Sequence, residues 1–333
     1  ITLGVSINSL KQLYFFEAIK ITLFCLSITG IYWLLGLNQS TLLIMFNLAV
    51  MASVATFSPE KKKLSLIAEG VVLILFSIIA GAWMGFYSPI IASICSVLYA
   101  LLAFWLPRSS VQRNLFVTGA VMFFIFTALP FDTRESLMVA FYGALMLPAM
   151  LLFYGLVDPY IYSKESLFTN TYGPRQKKTA YIAGLALSSA WVVSVLLIHY
   201  TTITHIYWIG LTTLVVIQGA QGKTMKTAVN RIVINTCGAL IIVLLTNYVI
   251  ITNFQLNFIL LVGFLFGIFA LGYSYTWRTL FVELFVLSFT NLLGQYQPII
   301  ALDRILLTVI GGLIVMASTL IIHLIPLKLP KKM

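Results

Sequence analysis

The ionisable residues that sit inside apolar runs are where chemistry would be done. Glu69 follows Lys63 by six residues, about 9 Å into a helical run at 1.5 Å per residue, and Arg231 follows Lys226 by five, about 7.5 Å in. Glu283 stands five residues past Arg278 in another such run. A charged side chain at mid-bilayer costs about 2.5–3.5 kcal/mol on insertion scales, so each is a functional candidate. A buried carboxylate has its pKa raised toward neutrality and can carry a proton, which makes Glu69 and Glu283 proton-coupling candidates. A planar guanidinium matches a carboxylate ligand, which makes Arg231 a binding candidate. Neutral polar residues Asn235 and Thr236 lie one turn beyond Arg231. Gln218 and Gln221 end the preceding run, Trp208 lies within it, and Asn47 lies in an early one. These complete a candidate binding set, with helix–helix hydrogen bonding as the competing role.

The elements that must position these groups follow from composition. Of 333 residues, 61% are hydrophobic and 9% charged, with a mean hydropathy of +1.03. No water-soluble core could bury so much apolar surface, so the solvent is lipid. Crossing about 30 Å of hydrocarbon takes roughly 20 apolar residues. Runs of this kind lie near 14–36, 40–57, 65–87, 89–106, 115–130, 136–157, 179–199, 204–220, 227–251, 256–272, 275–294 and 302–325. They read as continuous, without the alternation of barrel strands, so an all-α polytopic membrane protein with about twelve transmembrane helices is expected.

Of twenty Lys and Arg residues, all but Arg134 and Arg304 fall on one side of this arrangement. Those two sit beside acids: Asp132 and Glu135 in one case, Asp303 in the other. The positive-inside rule then places both termini in the cytoplasm and the chain in a bacterial-type inner membrane. The net charge of +11 follows from this asymmetry, and no basic stripe with interleaved aromatics points to nucleic acid. Glu17 and Lys20, three apart on one helix face, are expected at the cytoplasmic edge. Trp33, Trp83, Trp105 and Trp191 read as interfacial belt residues. Cys25, Cys95 and Cys237 read as small apolar side chains, and neither they nor the histidines show metal-ligand spacing. No Walker loop, nucleophile elbow or zinc-protease helix is present, so neither an enzyme nor a cofactor is expected.

Internal similarity organises the runs. Setting Lys61 against Lys223 places Glu69 opposite Arg231, and a slightly larger offset pairs Arg134-Glu135 with Asp303-Arg304 and Gly143 with Gly312. Two parallel six-helix repeats are expected, 1–157 and 179–333, joined by a cytoplasmic linker at 158–178. Across the two third spans, a Glu69–Arg231 pair is the expected centre of the site, either as a transport element or as a structural clamp. Gly81 to Gly85 and Gly311-Gly312 are expected to let helices approach closely. Gly219 and Gly222, around a polar turn, would suit a helix break.

Tyr207-Trp208-Ile209-Gly210-Leu211-Thr212-Thr213, then Gln218-Gly219-Ala220-Gln221-Gly222, lead into Arg231-Ile232-Val233-Ile234-Asn235-Thr236-Cys237-Gly238. This resembles the fusaric-acid-resistance and aromatic-acid-exporter family, clearly over roughly 180–245 and more faintly elsewhere. Arg231 and Gly238 match its pattern, while Ile234 and Asn235 replace a Gly-Thr pair. The resemblance implies a proton-driven exporter of small aromatic or amphiphilic carboxylic acids, often working with a periplasmic adaptor of the membrane-fusion type. Many members carry a large cytoplasmic domain after each six-span half. Here the linker is short, so the chain looks like a membrane-only member. An anion channel, or a non-catalytic subunit anchoring an adaptor or envelope complex, is the alternative, and a homo-oligomer is compatible with each.

Overall fold

In the computed structural model the described residues are 7–56, 64–107, 110–128, 133–161, 174–200, 207–217, 221–248, 254–292 and 298–324. They form helices throughout: α1 (Ile7–Leu34), α2 (Gln39–Thr56), α3 (Leu64–Tyr87), α4 (Pro89–Trp105), α5 (Ser110–Ala128) and α6 (Thr133–Ile161). Then come α7 (Pro174–Tyr200), α8 (Tyr207–Val216), α9 (Gln221–Tyr248), α10 (Phe254–Ala270), α11 (Tyr275–Leu292) and α12 (Pro298–Leu324). The protein is a helical, multi-pass membrane protein. Four stretches are long and apolar enough to cross a bilayer by length and composition: Lys11–Leu34, Glu69–Tyr87, Thr224–Leu245 and Ile300–Ile321. The run expected at 204–220 is represented by the ten-residue α8. Residues 218–220, with Gln218 and Gly219, lie outside the described residues.

Local sequence explains where helices start and stop. Proline opens α4, α7 and α12, where its missing N–H and fixed φ suit the first turn. The reversal between α1 and α2 turns on Gly36 at φ +78°, whose N–H donates to the Trp33 carbonyl at 3.0 Å. Only glycine takes that conformation without steric cost. Asn38 Oδ1 then accepts the Thr41 N–H at 2.9 Å and caps the start of α2.

The chain forms two compact units, with boundaries inside α3, α6, α9 and α12 and between residues 168 and 169. Unit 1 comprises residues 1–71, 141–168 and 233–305; unit 2 comprises 72–140, 169–232 and 306–333. Each unit therefore draws on helices from before and after the 158–178 linker. In unit 1, α1 packs on α2 and α10, and α10 packs on α11. In unit 2, α4 packs on α5 and α7, while α8 packs on α7 and α5.

Unit 2 is held by small residues and one aromatic centre. Ala100 and Ala103 of α4 meet Ala183, Ala186 and Ala190 of α7 in a single buried cluster. Side chains this small let backbones approach, and van der Waals contact drives helix association in lipid. Trp191 is fully buried in the cluster. Its ring stacks on Phe124 at 4.4 Å and its Nε1–H donates to the Gly210 carbonyl at 3.1 Å. The belt expectation is thus overturned for Trp191, because its indole N–H finds a protein partner inside the bundle. Trp33, Trp83 and Trp105 remain exposed.

The glycine spacings act as expected. A methyl group on Gly81 would lie 2.5 Å from the Phe123 carbonyl oxygen, and one on Gly85 would lie 2.5 Å from that of Thr127. Thus α3 crosses α5 with backbone against backbone. Gly311 likewise meets the Ile209 carbonyl and Thr212, and Gly312 meets Ile232 and Ala228. Gly81→Leu is expected to separate α3 from α5 and to cost about 3 kcal/mol, the upper end for overpacking. A lowered melting midpoint in detergent is the readout, and a midpoint equal to the parent's would refute the close crossing.

Candidate functional site

Two charged side chains meet in the interior of unit 1. Glu283 lies near the middle of α11, and Arg304 lies six residues into α12. Both side chains are 0% exposed. The Arg304 Nε–H is shared between both carboxylate oxygens of Glu283, at 3.0 and 3.1 Å. Gly238 of α9 presses on the pair: a methyl group there would sit 2.9 Å from Glu283 Cγ and 3.1 Å from Cβ. The glycine of the motif is therefore the residue that lets α9 close over the carboxylate. Asn235, three residues earlier and on the same helix face, is also buried. Ala239, Ile242, Leu284, Leu287 and Ala301 form the adjoining apolar cluster.

This arrangement is expensive to build. Removing two ions from water costs several kcal/mol each, and their attraction recovers that only with good geometry. Apolar residues of similar volume would be as stable or more so. A buried ion pair at this position is therefore a functional candidate rather than a stabilising device.

Arg304 was expected among the outer-loop charges beside Asp303, and the structure corrects this. Pro298 starts α12, so Arg304 lies nearly two turns inside the helix. Glu283 lies nine residues from the end of α11 at Leu292. The position of Arg304 inside an apolar run was the available signal; the neighbouring Asp303 obscured it.

Glu17 and Lys20 form a second ion pair in unit 1, three apart on α1, and both are almost fully buried. Their expected place at the membrane edge is overturned, since the pair faces inward. Glu69, by contrast, is exposed on α3 within unit 1. Its expected burial does not hold, whereas Glu283 and Glu17 are both buried. Asn47 and Thr236 are half-buried.

In unit 2 Arg231 is 2% exposed. A lipid-snorkelling position is thereby excluded, because a snorkelling side chain would present its head at the surface. Trp208 is buried at 1%, and Thr212 and Thr213 of the same helix are buried as well. Thr213 Oγ1–H donates to the Gly210 carbonyl at 2.7 Å, the oxygen that also accepts from Trp191. The side chain of Gln221 and all of Gln218 lie outside the described residues. Of the free cysteines, Cys25 is buried, Cys95 intermediate and Cys237 exposed.

Residues 189–318 match the model of a family described as fusaric acid resistance protein-like. The matched stretch contains α8 to α11 and most of α12, with Arg231, Gly238, Glu283 and Arg304. It overlaps the 180–245 region of the motif and extends C-terminally beyond it. No curated protein and no solved structure matches the chain.

Proposed function

We propose, from the premise that residues 189–318 are fusaric acid resistance protein-like, that this chain is a proton-coupled secondary exporter of small aromatic or amphiphilic carboxylic acids. It sits in a bacterial-type inner membrane with both termini cytoplasmic and about twelve spans in two related six-helix halves. It hands substrate to a periplasmic membrane-fusion adaptor. The observation that carries this reading is the fully buried Glu283–Arg304 pair. A buried carboxylate held by one guanidinium has two stable conditions, ionised and paired or protonated and released. Arrival of one proton on Glu283 neutralises it and weakens its hold on Arg304, which permits α11 and α12 to shift. Loss of the proton restores the pair. Arg231 provides the positive charge that receives the substrate carboxylate, and Trp208 of the same unit assists in recognition of its ring.

The test of substrate recognition is efflux of a radiolabelled hydroxybenzoate from vesicles carrying the full chain, driven by an inward proton gradient. Arg231→Ala is expected to raise the half-saturating concentration about tenfold or more, the effect of losing a charge-assisted hydrogen bond. Unchanged saturation would remove Arg231 from the binding site. Steady anion current without a proton gradient would identify a channel instead, and absence of any flux from the parent would favour an anchoring subunit.

A further inference from the structure

At one end of unit 1, α1 meets the turn between α10 and α11, and two cations converge there on a set of tyrosines. Lys11 Nζ lies 5.7 Å from the centre of the Tyr273 ring. Tyr14, one turn along α1 from Lys11, meets Tyr273 edge-on at 6.3 Å. Gly272 allows this contact, since a methyl group there would lie 3.2 Å from the Tyr14 ring. Arg278, in the first turn of α11, donates its backbone N–H to the Ser274 carbonyl at 3.0 Å. Tyr14 and Tyr275 both lie within electrostatic reach of the Arg278 guanidinium.

Lys11 and Arg278 are exposed, and among the described residues no carboxylate pairs with either. The nearest acid on α1, Glu17, is turned inward onto Lys20. The Tyr275 hydroxyl is buried and has no hydrogen-bond partner among the described residues. An unsatisfied buried hydroxyl costs about 1–3 kcal/mol, so a donor held beside an exposed guanidinium calls for an acceptor. Around the cluster, Phe15, Phe16 and Trp277 present exposed aromatic surface of the kind that sits at headgroup level.

We propose that Lys11, Arg278 and the Tyr275 hydroxyl form a site for a phosphate-bearing anion, the headgroup of an anionic phospholipid in the leaflet facing this end of unit 1. The planar fork of Arg278 suits two phosphate oxygens, and Lys11 adds a mobile point charge. The flanking aromatics accommodate the glycerol and upper acyl chain. With the topology proposed above, that leaflet is the cytoplasmic one, whose surface is negatively charged. The site is separate from the ion pair and does not depend on the transport reading, because its readout is lipid retention.

The experiment is native mass spectrometry of the full chain in detergent with equimolar phosphatidylglycerol and phosphatidylcholine. The parent is expected to retain phosphatidylglycerol preferentially. Lys11→Gln and Arg278→Gln are each expected to lower that retention about fivefold, the effect of one cation near the membrane surface. Lys226→Gln, which removes an exposed cation from α9, is expected to leave it unchanged. Tyr275→Phe removes one oxygen without disturbing the backbone and is expected to lower retention about two- to tenfold. Arg278→Lys is expected to recover part of the loss. Equal retention in all variants would overturn the proposal, and so would an equal loss in Lys226→Gln. Displacement of the lipid by millimolar inorganic phosphate would overturn the lipid assignment in favour of a free-phosphate site.

Discussion

Arg304→Ala is expected to destabilise the protein by about 3–5 kcal/mol, because it leaves the Glu283 carboxylate buried with its ion-pair partner removed. Replacing both members by apolar residues, Glu283→Leu with Arg304→Met, removes the desolvation penalty along with the attraction. That double variant is expected to recover the parent's midpoint or exceed it. Thermal unfolding in detergent measures all of this. The proposed function adds a second expectation: the double variant folds and does not couple. A structural clamp would give the opposite pattern, with transport retained once stability is restored. If Arg304→Ala melts with the parent, the pair is not buried as described.

Much of this was legible from residue types and spacing. Apolar runs with no strand alternation specify helices, since a backbone in lipid has no other way to satisfy its own polar groups. The four-residue spacing of Gly81 and Gly85 signals a close helix approach, and its partner is α5. Arg231 and Gly238 stand where the motif puts them: Arg231 is buried and Gly238 closes on Glu283. Depth and facing were harder to read. A linear count places Glu69 about 9 Å into its run, yet depth along a helix says nothing about which way a side chain points, and Glu69 is exposed. The same ambiguity hid the inward facing of Trp191 and of the Glu17–Lys20 pair, the latter near the start of its span. Arg304 was obscured by its acidic neighbour, since Asp303 made the dipeptide look like loop charge. Which helices share a compact unit was equally hidden, because α1 and α10 are far apart in sequence and adjacent in space.

The buried carboxylate is the centre of the account, and its proton is what must be followed. Full-length chain in vesicles with an internal pH indicator should report proton movement when a hydroxybenzoate is added on the substrate-entry side. Glu283→Gln keeps the size and much of the hydrogen bonding of the side chain but cannot change charge. The account predicts that this variant still binds the acid and moves no protons with it, while the parent exchanges protons for substrate. Substrate-dependent proton flux in Glu283→Gln equal to the parent's would contradict it.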